Sequence, residues 1–136
     1  MPAARIDGAG ELLVELVTAE GYRGDGPLRL VCRVTNPTRR ACTFCQYHTP
    51  FEGIRNDIFT VTTADGAAVP YRGSMAKRTP PRPQDFRRVE PGQSVTADVD
   101  LRDGYELVPG VYRVAFSGNA ISGLPASAAV TVTVGT

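Results

Sequence analysis

Long helical runs are missing from this sequence, because 14 glycines and 11 prolines interrupt its 136 residues too often for amphipathic helices of ordinary length. No stretch approaches the ~18 apolar residues of a membrane span, and the N-terminus lacks the apolar run of roughly 7 to 15 residues typical of secretory signals. Cysteine occurs only three times, which argues against a disulfide framework. We therefore expect a cytoplasmic protein with reduced thiols and no membrane association.

The sequence also has almost no excess of charge of one sign. The formal net charge of +1 offers no global attraction to nucleic acid or anionic membranes, so any electrostatic function must be local. Residues 71–90 carry six Arg or Lys against two Asp or Glu, which leaves +4 in this segment. The length fits a single domain over residues 1–136, with residues 1–10 expected to form a flexible N-terminal segment.

Short alternating runs, which are present throughout, indicate β-strands. In "SVTADVDL" one face of the chain carries Val95, Ala97, Val99 and Leu101. Similar alternation predicts strands near residues 11–18, 28–35, 41–48, 57–63, 94–101, 111–117 and 129–134. Turn sequences separate these runs, and no helices intervene. The pattern predicts an all-β fold, an antiparallel β-sandwich of about seven to nine strands of the immunoglobulin-like or fibronectin type III-like class.

One strand begins with a motif of such sandwiches. In "LVPGVYRVAF" a proline–glycine turn leads to Tyr112, which resembles the tyrosine corner of immunoglobulin-like domains, where the hydroxyl bonds an upstream backbone group. The absence of tryptophan argues against a true antibody-type domain. Between residues 69 and 89 three prolines within four residues exclude a central strand, so this segment is a long loop or an edge strand plus loop.

A C-x-x-C-x-x-H spacing formed by Cys42, Cys45 and His48 raises the question of zinc, with Cys32 as a fourth ligand. On an extended strand, however, Cys42 and His48 would lie about 20 Å apart. We therefore interpret Cys32 and one of the pair as small core residues and expect no metal. A zinc or redox protein built on these residues remains an alternative.

Catalysis has few candidates in this sequence. Any triad must use His48, the single histidine, and no G-x-S-x-G motif surrounds a serine. A Cys45–His48 dyad would diverge on a strand. The sequence thus predicts a protein that is not an enzyme and needs no cofactor.

Two segments, 48–57 and 71–88, combine charged and aromatic residues in the manner of a recognition surface held by a rigid scaffold. The candidate partner-binding residues are His48, Glu52, Arg55, Tyr71, Arg72, Lys77, Arg78 and Arg82. The alternatives are a simply solvated loop, or a weak single-strand nucleic-acid binder that stacks bases on Tyr71 and Phe86.

Four stretches carry a family resemblance: "YHTPFEGIRNDIFTV", "DGAAVPYRGSMAKRTPP", "QDFRRVEPGQSVTADVDL" and "YELVPGVYRV". In this order they resemble the N-terminal β-sandwich domain that precedes the catalytic domain of deuterolysin-like, lysine-specific metalloendopeptidases, from about residue 12 onward. Those peptidases carry a His-Glu-x-x-His zinc helix in the following domain, whereas this sequence has one histidine. The resemblance implies an accessory or pro-domain-like module that binds another protein, such as a peptidase that it inhibits or chaperones.

The stretch "HTPFEG" fits the end of a strand that turns toward the next element. Pro50 would fix this turn, while Phe51 or Ile54 packs against the core. Glu52, Arg55 and Asp57 would then point outward or pair with the basic loop. We therefore predict a structural clasp between this turn and the loop at residues 71–80, and a recognition surface in second place.

Overall fold

The computed structural model describes residues 5–19 and 21–136, and over these residues it confirms the all-β prediction. Eight antiparallel strands are present: β1 (Leu13–Val17), β2 (Arg29–Thr35), β3 (Cys42–Cys45), β4 (Phe59–Thr63), β5 (Phe86–Val89), β6 (Ser94–Asp100), β7 (Gly110–Phe116) and β8 (Val130–Val134). The helices in this part of the chain are short 3-10 turns at Ala9–Glu11, Pro50–Glu52, Pro83–Asp85 and Leu101–Asp103. None of them has the length and apolar character needed to cross a membrane.

The strands form three sheets, in the orders β1-β2-β6, β4-β7-β8 and β3-β5. The register pairs Leu16 with Cys32 and Cys32 with Ala97, so the alternating faces of the first sheet coincide. The inward residues of all three sheets belong to one hydrophobic core. This sandwich-like arrangement follows from the alternation, because each sheet has one apolar face to bury.

Each of the seven predicted strands overlaps an observed strand, and the eighth, β5, lies in the segment interpreted as a loop or an edge strand plus loop. β5 pairs only with β3, with Phe44 opposite Arg87. Val89 is buried while Arg87 and Arg88 are exposed, so only part of this strand contributes to the core. The short ladder lies beside the two larger sheets and positions the segments that surround it.

The strand predicted at 41–48 ends early, at Cys45. The chain turns at Tyr47 and His48, and His48 adopts a left-handed backbone conformation with a φ of 58°. The Thr49 hydroxyl donates to the Gln46 carbonyl at 2.7 Å and closes the turn. A side-chain hydrogen bond thus replaces strand pairing at this point.

Part of the segment predicted to be flexible packs against the sheet. The N–H of Asp7 donates to the Thr43 carbonyl at 3.0 Å, and the N–H of Thr43 donates back at 2.7 Å. Ala9 is almost fully buried. Residues 5–10 are therefore held by β3, and residues 1–4 lie outside the described part of the chain.

Tyr112 has the geometry of a tyrosine corner: its buried hydroxyl donates to the Val108 carbonyl at 2.7 Å. We expect Tyr112→Phe to lower the free energy of unfolding by about 1 kcal/mol, because the Val108 carbonyl loses its donor while the ring still fills the same space. Urea unfolding measures this loss. Unchanged stability would show that water satisfies the carbonyl equally well.

Candidate functional site

The turn after β3 is built by local hydrogen bonds. Pro50 occupies the first position of the 3-10 turn Pro50–Glu52, where its fixed φ suits the helix and its missing N–H has no cost. The Thr49 hydroxyl caps this turn by accepting from the Phe51 N–H at 3.1 Å. Pro50 therefore has the position predicted for it.

Two apolar residues of this turn anchor it to the core. The ring of Phe51 packs edge-to-face on Phe44, with the ring centroids 5.2 Å apart. The guanidinium of Arg87 lies 5.5 Å from the centroid of the Phe51 ring. Ile54 is buried. Both residues proposed from the sequence contact the core, and their packing fixes the direction in which Glu52 points.

Glu52 joins the turn to the basic loop. One carboxylate oxygen, Oε2, accepts from the His48 N–H at 2.7 Å, and the other, Oε1, forms an ion pair with Nη2 of Arg78. The side chains of Glu52 and Arg78 are only 12% and 24% exposed, so solvent screens this pair weakly. The guanidinium of Arg78 also lies 4.6 Å from the centre of the Tyr47 ring. These contacts form the predicted clasp.

Backbone hydrogen bonds hold the loop at two further points. The N–H of Ala76 donates to the Arg55 carbonyl at 2.9 Å, and the N–H of Arg72 donates to the Gly104 carbonyl at 2.7 Å. Arg55 turns its side chain back onto its own segment, since its Nε donates to the Glu52 carbonyl at 2.9 Å. The loop is thus bonded to residues 52–55 and to residue 104.

Two glycines permit the close approach of loop and core. A Cβ on Gly104 would lie 2.7 Å from Cε1 of Tyr71 and 2.8 Å from Cγ2 of Ile54. A Cβ on Gly73 would lie 2.7 Å from the Asp103 carbonyl oxygen. The space is filled by Tyr71, whose ring packs edge-to-face on Tyr105 with a centroid distance of 5.5 Å. The loop can therefore approach the core this closely only because both positions lack a side chain.

Asp57 interacts with the core side of the site through Tyr105. The Tyr105 hydroxyl donates to Asp57 Oδ1 at 2.5 Å and accepts from the Phe59 N–H at 3.1 Å. Burial is the main cause of the raised pKa of Tyr105, and the hydrogen bond to Asp57 raises this pKa further. The hydroxyl therefore stays protonated and joins the start of β4 to the residue on which Tyr71 packs.

The structure divides the predicted site residues into two groups. Partly or largely buried members, which build the clasp or its support, are His48, Glu52, Tyr71 and Arg78. Exposed members on the outer side are Arg55, Arg72, Lys77 and Arg82. Sequence reasoning missed Met75, whose 71% exposure is the highest among the exposed large apolar residues. Its signal was an apolar residue in an otherwise polar loop.

His48 contributes to the site through its backbone. Its N–H donates to Glu52, and its carbonyl accepts from Nδ2 of Asn119 at 2.9 Å. These two bonds hold a left-handed conformation that is uncommon for residues other than glycine. Burial, and secondarily the charge of Arg78, lowers the pKa of the imidazole, which favours its neutral form.

The cysteines are all buried. Burial raises the pKa of the Cys32 thiol to about 12, and burial is also the main cause of the raised pKa of Cys45. Over residues 5–19 and 21–136, no group of three or more His, Cys, Asp or Glu is placed to hold a metal ion. The burial of the three cysteines and the raised pKa values of Cys32 and Cys45 give no support to the zinc or redox alternative.

The aromatic residues considered for base stacking both take part in the fold. Tyr71 packs on Tyr105 and donates its hydroxyl to the Ser74 carbonyl. Phe86 is half-buried at the start of β5, opposite Cys45. Neither ring is freely exposed, so these positions do not favour the nucleic-acid alternative.

Neither a protein-family model nor a curated protein matches the chain. The resemblance to the N-terminal domain of deuterolysin-like peptidases stays a prediction.

Proposed function

We propose that this chain is a non-catalytic protein-binding module that presents the loop at residues 71–82, here called the recognition loop, to a partner. The observation that carries the proposal is Met75, which is 71% exposed in a loop anchored on both sides of it. Tyr71 anchors the loop before Met75, and Arg78 anchors it afterwards. Loops positioned by a rigid scaffold carry a disproportionate share of binding residues.

Pre-organisation of the recognition loop is the physical reason why it is suited to binding. A loop held in place by Glu52, Arg55 and Gly104 loses little conformational entropy on binding. The flexible thioether side chain of Met75 adapts to apolar pockets of irregular shape. The exposed cations Arg72 and Lys77 flank it and would steer an acidic partner surface toward the loop.

A peptidase is the partner class that the family resemblance supports, with the chain acting as an inhibitor or as a pro-domain-like accessory protein. A non-catalytic role is supported by the site itself. The single histidine uses its backbone to close a turn, and burial raises the thiol pKa of Cys32 and Cys45, which lowers their reactivity. The clasp residues are engaged with one another and leave their functional groups little access to a substrate.

The test is affinity capture from lysate of the native host, with quantitative mass spectrometry, comparing the parent chain with Met75→Asp. We expect Met75→Asp to weaken binding of the specific partner at least about 30-fold, as for a central interface residue worth about 2 kcal/mol. Val108→Asp is the matched control, because Val108 is also highly exposed, at 63%, but lies outside the loop. Equal capture by all three proteins would contradict the proposal.

An activity assay on the captured partner then distinguishes an inhibitor from an accessory protein. If it is a peptidase, its hydrolysis of a peptide substrate is measured with and without the parent chain. Reduced hydrolysis that Met75→Asp restores identifies an inhibitor. Unchanged hydrolysis identifies an accessory protein that binds outside the catalytic cleft.

A further inference from the structure

The recognition loop contains a stretch without helix, turn or bend, residues 74–79, that has unused backbone groups. Between bends at Gly73 and Pro80 the chain runs without a turn. The N–H of Ala76 points inward, to the Arg55 carbonyl. Successive peptide groups of an extended chain point to alternate sides, so an extended conformation here places those of Met75 and Lys77 on the side away from residue 55. In the described part of the chain these four N–H and C=O groups have no hydrogen-bond partner.

This edge has the components of a strand-addition site. Its free N–H and C=O groups alternate with inward-bonded ones, as on the edge of a sheet. The side chains of Met75 and Lys77 are exposed beside them, and Ala76 is fixed by its bond to Arg55. A second extended segment could pair with this edge without displacing any contact of the clasp.

The exposed cations beside this edge indicate the charge of the segment that would pair with it. Arg72 and Lys77 are exposed, and neither takes part in an ion pair with any residue that the structure describes. A second copy of the same edge would bring Lys77 near like charges, which is unfavourable across a strand pair. Carboxylates on the added segment would instead pair with both cations, so charge complementarity favours an acidic segment.

We infer that an extended, acidic peptide segment of the partner protein adds as a strand along residues 74–77. Its backbone pairs with the peptide groups of Met75 and Lys77, and its carboxylates lie against Arg72 and Lys77. An apolar side chain of the partner contacts Met75. This inference rests on the proposed function and names the chemistry of its partner.

The test is selection of a phage-displayed library of random peptides on the immobilised chain, followed by synthesis of the enriched peptide. We expect enriched peptides to carry Asp or Glu two positions from an apolar residue, because Met75 and Lys77 would lie on the same face of an extended stretch. The synthetic peptide should bind Lys77→Pro at least about 10-fold more weakly than Lys77→Ala, because both variants lack the cation but only proline lacks the N–H. Ala76 precedes the new proline in an extended stretch, which this substitution tolerates.

A second measurement reports directly on the backbone groups of this edge. Amide hydrogen exchange of Met75 should slow when the enriched peptide is bound to the parent chain, and equal thermal melting of the two Lys77 variants confirms that both are folded. Failure to enrich acidic peptides, or equal binding to both variants, would overturn the inference. If capture of the partner protein still depends on Met75 in that case, the protein-binding proposal stands and only strand addition is rejected.

Discussion

Arg78→Met is expected to lower the free energy of unfolding by about 2–4 kcal/mol, while Lys77→Met changes it by less than about 0.5 kcal/mol. Removing the guanidinium leaves the carboxylate of Glu52 mostly buried without its cation, and Tyr47 loses its cationic neighbour. Lys77 is exposed and belongs to the outer side of the loop. Because the two residues are adjacent and both are replaced by Met, the difference in the free energy of unfolding between the two variants, measured in urea, reports the contribution of the clasp.

A double-mutant cycle with Glu52→Gln completes this test. The Glu52 side chain accepts from the His48 N–H as well as pairing with Arg78, so Glu52→Gln alone also destabilises the turn. The coupling between Glu52→Gln and Arg78→Met should be about 1–2 kcal/mol, as for neighbours within one network. Additive losses would mean that the two side chains stabilise the fold independently and that no ion-pair clasp exists.

Gly104→Ala is expected to cost about 1–3 kcal/mol, the usual penalty for inserting a methyl group into a packed site. The new Cβ would lie within 2.8 Å of both the Tyr71 ring and the Ile54 side chain, so one of them must move. Movement of Tyr71 would loosen its packing on Tyr105 and release one side of the recognition loop. Thermal unfolding measures the loss of stability.

Gly10→Ala serves as the control for this substitution. Within the described part of the chain, no heavy atom beyond the chain neighbours of Gly10 lies within 4 Å of a Cβ built there, so we expect the stability of Gly10→Ala to stay within about 0.5 kcal/mol of the parent. If the two variants melt at the same temperature, the contact between Gly104 and Tyr71 does not limit the approach of the loop.

Much of the fold could be predicted from the sequence because strand alternation is a local property. The buried face of β2 and the position of Tyr112 follow from period-two alternation and from one proline–glycine turn. The sequence of β5 fits either a loop or an edge strand, because two of its four residues are exposed arginines and its pairing depends on the distant strand β3. β3 ended early because the Thr49 hydroxyl competes with strand pairing.

The site was less predictable because its contacts join distant segments. The sequence indicated that Glu52 could pair with the basic loop, but Lys77 and Arg78 are indistinguishable by charge. Which of them turns inward depends on the bond between Ala76 and Arg55. The need for glycine at position 104 depends on the ring of Tyr71, and no local pattern encodes that contact.

Amide hydrogen exchange of Ala76 in the free chain is the most direct measurement of whether the recognition loop is pre-organised. If the clasp holds the loop, this amide should exchange at least about 100-fold more slowly than in an unstructured chain, while the solvent-facing amides of Met75 and Lys77 exchange rapidly. Arg78→Met should remove the protection of Ala76. Exchange of Ala76 at the unstructured rate in the parent chain would contradict a pre-organised loop.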